Sequence, residues 1–382
     1  MKISVMIANS YIDRAAVQGR YPIPGARYDK EVGAKSLEAS LTNARLADEV
    51  GFDWISVSEH HFGPGIMTPN PHVFAGALTQ VVKRATIALL GPVVSINNPV
   101  RLAEEIALLD QMSGGRIVAF LLRGTPNEFN TYYVRPSETR ERAQEAIKLI
   151  EHALTEPQPF GWAGRYFHYP TISVWPRPAQ TPHPPFFSSG NSPESCVFAA
   201  QNHHGLAMSF IPPHLVQHAV GLYKAECEPA GWQPRAEQII YRSHAAIVAT
   251  DAQVANLPPR PKLDVETDPN AAPKGFGPLS WLEQERSSAE EAAKGIEDKS
   301  ATGGQGYGLG SLQFGGTPDM LVEQIRAFHE QTGVGVLDLI FQARTPEAMR
   351  DSIRLFGEQV LPRVRDIGVT SEDKTPALSA LG

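Results

Sequence analysis

The chain has 382 residues, 42% of them hydrophobic and 20% charged, with a formal net charge of −7. That balance is ordinary for a soluble globular protein and argues against nucleic acid or an anionic membrane as partner. Two cysteines, Cys196 and Cys227, make neither a disulfide framework nor a metal motif, which suits a reducing cytoplasm.

The opening apolar run, Met1 to Ala8, is too short for a signal peptide, and no stretch is long enough to cross a bilayer. Strands are predicted at 3–8, 54–58, 86–94, 117–122, 185–188, 206–211, 239–250 and 336–342. Helical patterns fall between them, near 36–50, 71–82, 100–111, 137–154, 192–202, 215–230, 318–332 and 346–364. Gly51 follows the first helix as a C-cap, and Thr317-Pro318-Asp319 has the order of cap, first-turn proline and first-turn acid. Eight strand–helix units predict a (β/α)8 barrel as one domain over 1–382, with an open doubly wound sheet as the other option.

Three stretches exceed normal loop length and count as insertions after strands 1, 4 and 7: Ser10–Lys35, Glu156–Pro185 and Asp251–Ser311. The last reads as a mobile lid over the site or as a disordered surface insertion, with a short helix near 282–294. Trp162, Phe167, Tyr169, Trp175 and Phe186 line a substrate pocket or, the favoured reading, pack under the second loop. His203-His204 reads as structural.

The chemistry is densest where Trp54-Ile55-Ser56-Val57 runs into Ser58-Glu59-His60-His61-Phe62. A strand ending in an acid and two imidazoles carries groups that a core does not need, and barrel active sites gather at such ends. No metal is expected, because adjacent strand residues face opposite sides and a metal would need partners from other strands. A satisfied core network is the plain alternative. Arg123, after the strand 117–122 and before Gly124, stands at a strand end that favours the site, although a surface ion pair is the commoner fate of an arginine. Ser188-Ser189-Gly190-Asn191-Ser192-Pro193-Glu194-Ser195 opens a helix whose free N–H groups suit an anion. Ser192 alone reads equally well as an N-cap with no ligand.

Two long stretches resemble the bacterial luciferase-like flavin monooxygenases. One is Gly51-Phe52-Asp53 through Glu59-His60-His61-Phe62. The other is Asn98-Pro99-Val100-Arg101-Leu102-Ala103-Glu104 with Leu109-Asp110-Gln111-Met112-Ser113-Gly114-Gly115-Arg116, ending at Arg123-Gly124. Gly316-Thr317-Pro318-Asp319 and the segments to Leu361-Pro362 also look like the family's ending. The resemblance implies a TIM barrel that binds reduced FMN from a separate reductase and activates O2 through a C4a-peroxyflavin to oxygenate a small organic substrate. It implies His60 as the catalytic histidine and Glu59 beneath the flavin. Arg123, Ser192 and Ser195, with Gly190 and Asn191, fall on the phosphate side. Pro92 and Val93 fall near a cis peptide against the ring, where Gly91-Pro92 departs from the family's usual pair of small residues. Ser95, Asn97 and Asn98 either reach the ring edge or cap the helix at Val100. A homodimer is implied by family habit. Two alternatives remain: a hydride-transfer enzyme using deazaflavin F420, which shares the barrel, and a non-catalytic flavin-binding subunit.

Overall fold

The structure, a computed structural model, describes residues 1–17, 23–124, 128–129, 132–257, 313–343 and 345–368. Its helices begin where short polar side chains precede proline. Asn70, Asn98, Ser192 and Thr345 cap helices whose first residue is Pro71, Pro99, Pro193 and Pro346. A proline at that place gives up an N–H that would have no partner anyway, and its fixed φ already suits the helix.

These helices, α2 (Pro71–Val81), α3 (Pro99–Ser113), α5 (Pro193–Gln201) and α8 (Pro346–Gln359), are joined by four others. The four are α1 (Lys30–Val50), α4 (Thr139–Thr155), α6 (Pro213–Cys227) and α7 (Pro318–Thr332). The strands between them are β1 (Lys2–Met6), β2 (Trp54–Val57), β3 (Thr86–Val93), β4 (Ile117–Leu122), β7 (Phe186–Ser189), β8 (Gly205–Ser209), β9 (Ile239–Ile247) and β11 (Val336–Phe341). All pair in parallel in that order, and β11 returns to β1, so eight strands close a barrel. The open-sheet option is thereby ruled out.

Two apolar layers hold the barrel together. The outer one packs strand faces such as Ile3, Ile55, Leu89 and Ala119 against helix residues such as Ala47, Leu78, Ile106 and Ile150. The inner one is a plug of Trp54, Leu90, Phe120, Phe187, Ile240 and Val336 filling the lower barrel. Phe120 and Phe187 stack with centroids 4.4 Å apart, and Trp54 meets both edge-on at 6.3 and 5.9 Å. The barrel is therefore a filled core and not a pore.

Several elements differ from the sequence reading. The first helix starts at Lys30, not Ser36, because Asp29 caps it by accepting from Glu31 N–H and Val32 N–H. Gly33 breaks the apolar pattern of that added turn, and the Tyr28 ring occupies the space beside it. The 156–185 stretch contains an antiparallel hairpin, β5 (Phe160–Ala163) and β6 (His168–Ile172). It packs along the outside of α4, where Arg142 lies over the Phe167 ring at 4.5 Å and Glu141 pairs with Arg165. The chain then returns to the N-terminal end of the barrel, where Gln180 donates to Ile117 C=O, at the start of β4, at 2.8 Å. Phe167 and Phe186 are buried in the outer layer and Trp162 and Tyr169 lean on it, as the favoured packing reading has it, while Trp175 is exposed and does not pack. A further strand, β10 (Gln313–Gly316), extends the edge of β9 above β8. Most of the 251–311 insertion, with its predicted helix, lies outside the described residues. No helix among the described residues is long and apolar enough to cross a membrane.

Candidate active site

Side chains alternate inward and outward along each barrel strand, and the inward positions turn polar above the plug. Ser4 on β1, Ser56 on β2 and Asp338 on β11 converge: both hydroxyls donate to Asp338 Oδ1, at 2.6 and 2.7 Å. Arg242 on β9 crosses the interior to meet them. Its Nε donates to Asp338 Oδ2 at 2.6 Å, its Nη1 to Ser58 Oγ at 2.7 Å and its Nη2 to Ser56 Oγ at 3.3 Å. Asp338 is fully buried and Arg242 nearly so. A charge pair in such surroundings is tolerable only when nearly every donor and acceptor is matched, as here. Sequence reading missed this pair; its only trace is a charged residue at an inward position of two otherwise apolar strands.

Ser58 passes the network upward by donating to Leu90 C=O at 2.6 Å, while Thr68 Oγ1 donates to Ser58 C=O. Leu90-Gly91 is the cis peptide of this region, so the cis bond precedes glycine and Gly91-Pro92 itself is trans. Pro92 and Val93 are buried at the end of β3. Glu59, also buried, accepts from Val93 N–H at 2.8 Å and from the Asn97 amide at 3.3 and 3.4 Å. Asn98 is spent on the cap of α3 and Ser95 Oγ donates to Arg123 C=O at 2.6 Å.

The two histidines part company. His61 is buried, with Nε2 3.1 Å from Glu59 Oε1 and Nδ1 3.1 Å from the Tyr132 hydroxyl. A carboxylate only accepts, so Nε2 carries the hydrogen and Nδ1 receives the phenol proton. His60 faces solvent, 45% exposed in its side chain, with Nδ1 3.5 Å from the buried carboxylate of Glu128. His61 and Tyr132 were not singled out by sequence; the alternation of sides after β2 was the available signal for the first. His204 accepts or donates at Ser188 Oγ, 2.9 Å away, in the outer layer, a structural place.

Arg123 is exposed at the end of β4, and Gly124 beside it takes φ +98, where a Cβ would strike Val93. The next strand, β7, leads into Gly190, whose N–H donates to Ala207 C=O, and Asn191, which exchanges hydrogen bonds with Ser209. Ser192 caps α5 in a box with Ser195, their hydroxyls 2.9 Å apart. Pro193 has no N–H, so Glu194 carries the open donor of this helix end. Its own carboxyl turns back on that N–H, which with the Ser192 hydroxyl and Arg140 holds it below the usual carboxylate range. Glu59, Val93, Arg123 and Gly190–Ser195 thus occupy the ends of four consecutive barrel strands. No group of three or more metal-ligating side chains occurs among the described residues.

The donor set fits a flavin mononucleotide. A guanidinium at the end of β4 and a helix N-terminus after the neighbouring β7 suit a phosphate dianion, and a buried Glu59 fixed by Val93 N–H and the Asn97 amide suits a ring.

Comparison with known proteins gives the family and the fold. The family model for luciferase-like monooxygenases matches residues 22–334. The oxygenase component of flavin-dependent trigonelline monooxygenase from Acinetobacter baylyi is 27% identical over 242 residues, 59% of this chain and 64% of that protein. The chain spans only about half to two-thirds, 51–64%, of several curated relatives. Among solved structures, the FMN complex of the oxygenating constituent of 3,6-diketocamphane monooxygenase from Pseudomonas putida superposes with TM-score 0.70. It is 19% identical and covers 95% of this chain and 98% of its own. An F420-dependent secondary alcohol dehydrogenase superposes with TM-score 0.64 at 16% identity, covering 96% of this chain and 99% of its own. With the family model covering most of its length, this chain belongs to the luciferase-like monooxygenases.

Proposed function

We propose that this protein is a two-component monooxygenase that takes reduced FMN from a separate reductase and uses O2 to oxygenate a small organic molecule. The observation that carries the reading is the run of Glu59, Val93, Arg123 and the α5 N-terminus around one side of the barrel mouth. The FMN named for the 3,6-diketocamphane enzyme and the flavin named for the trigonelline enzyme support it.

Bound reduced FMN supplies the electrons that activate O2. Arg123 holds the phosphate, with Ser192, Ser195, Asn191 and Gly190 shaping the adjoining helix end. Glu194 must swing away from its own N–H to admit the phosphate, a movement open to an exposed side chain. Glu59, fixed by Val93 and Asn97, sets the ring height with Pro92 and Val93 as its wall. His60 gives or takes the proton at the reacting edge, with Glu128, 3.5 Å from its Nδ1, orienting the ring. The barrel excludes water from below. We also propose a single domain, a homodimer and a cytoplasmic site of action, the last in keeping with two buried free cysteines.

The test is titration of the full chain with reduced FMN under anaerobic conditions, followed by mixing with O2. Saturable binding and slowed, protein-dependent flavin oxidation support the reading. Binding and turnover of reduced F420 in preference to FMN would replace it with hydride transfer, and flavin binding with no change in oxygen reactivity would indicate a non-catalytic subunit. His60→Ala should bind FMN yet form little product.

A further inference from the structure

The mouth has a second polar side. β9 stands four strands from β3 around the closed sheet in either direction, so it lies directly opposite the wall that holds Glu59. Its inward positions run Ile240, Arg242, His244: the first belongs to the plug and the second to the buried ion pair. His244 is therefore the next inward side chain, one level nearer the opening.

Two neighbours fix it. Gln342, just past β11, donates its side-chain amide to His244 Nδ1 at 2.6 Å, and its own backbone N–H is tied to Ala245 C=O at 2.8 Å. Phe210, just past β8, lies nearly flat on the imidazole, with centroids 4.9 Å apart and planes at 26°. With Nδ1 accepting, the ring hydrogen sits on Nε2. Among the described residues no group bonds Nε2. Burial, and then Arg242, pushes the imidazole down to about 4, so it stays neutral at physiological pH. From β11 the facing groups are Gln342 and Asp338, the latter already bound to Arg242; from β8 the facing group is the Phe210 ring.

We propose that His244 Nε2–H is the hydrogen-bond donor for an acceptor oxygen of the organic substrate, a neutral carbonyl, with Phe210 covering the adjoining apolar part. The assignment rests on the flavin reading above. A phosphate on the β4–β7 side and a ring against β2–β3 leave the β8–β9–β11 side to the substrate. A fixed neutral donor needs no counter-charge in the ligand, which a histidinium or lysine would favour.

Acetophenone and ethylbenzene share a ring and differ by the carbonyl, so they serve as probes. Each is titrated into the full chain, and the stretch of the carbonyl-13C ketone is read in the bound state. The wild type should prefer acetophenone and lower its carbonyl stretch. His244→Phe should weaken acetophenone roughly two- to tenfold, leave ethylbenzene unchanged and abolish the lowered stretch. Gln342→Leu, which keeps the imidazole but frees its tautomer, should give a smaller loss of the same kind, and it serves should His244→Phe fail to fold. Equal binding of the two probes by the wild type, no binding of either, or an unaltered stretch in the variants overturns the proposal. Reduced FMN is titrated in parallel. Unchanged affinity in His244→Phe is expected, and a large loss would put the imidazole against the flavin and also overturn it. Failure of the wild type to bind FMN would instead sink the monooxygenase reading, while the ketone titrations still report on His244.

Discussion

The lower and upper halves of the barrel interior are made of opposite materials. Below, Trp54, Leu90, Phe120, Phe187 and Val336 form a dry plug whose contribution is packing. Above it, two inward positions on β9 and β11 carry a buried ion pair, and the rim carries Glu59, His60, Arg123 and His244. The strands are continuous through both halves, so the difference lies wholly in which side chain occupies each inward register. The plug gives the mouth a rigid floor. The ion pair above it ties β9 and β11 to β2 at the level where groups must be placed accurately.

That contrast can be broken from either end. The largest effect is expected from the plug: Phe120→Ala should cost about 3–5 kcal/mol of stability in chemical denaturation, with ligand affinity little changed in the fraction that stays folded. Asp338→Ala leaves the Arg242 guanidinium buried without its partner and should cost about 3–5 kcal/mol as well. Here, unlike in the plug, replacing both partners together (Arg242→Met with Asp338→Leu) should recover much of the loss. If the double replacement is as unstable as the single one, the pair is not acting as a matched charge unit. At the rim the balance reverses. Arg123→Ala should leave the denaturation midpoint nearly unchanged and weaken reduced-FMN binding by about 1.5–3 kcal/mol, the value of one charged hydrogen-bonded contact.

His244 adds a pH signature. Its folded pKa of about 4 lies below the ordinary histidine value, so the unfolded chain binds its proton first as pH falls. The stability it contributes is complete above about pH 6.5 and is lost as pH drops from there towards about 4. His244→Phe should flatten that part of the stability profile, as read by denaturation at several pH values. The smallest effect is expected at α5. Glu194→Gln removes a carboxylate from the helix end where a phosphate is to bind, and should tighten FMN by about 0.3–1 kcal/mol in low salt.

The barrel was legible because its strands are short β-branched and apolar runs and its helices open on Asn-Pro, Ser-Pro and Thr-Pro steps. The places of Glu59 and Arg123 at the ends of β2 and β4 were legible because each follows such a run. What was not legible depends on contacts distant in sequence. Arg242 and Asp338 are 96 residues apart, and only barrel closure makes them neighbours. The β5–β6 hairpin was hidden because its register is set from outside, by Glu145 of α4 accepting from Arg165, Tyr166 and Phe167 N–H. Its aromatics therefore read as pocket lining or, as favoured, as packing, and Trp162, Phe167 and Tyr169 do pack. His60 and His61 look equivalent in sequence, and only the turn after β2 sends one into Glu59 and the other to Glu128.

The most direct measurement is a structure of this chain with FMN bound. The account predicts the phosphate within hydrogen-bond reach of the Arg123 guanidinium and the α5 N-terminus, with the ring over Glu59 and Val93 and its reacting edge near His60. A phosphate seated elsewhere on the rim, or a ring that leaves Glu59 and His60 uncovered, would contradict it.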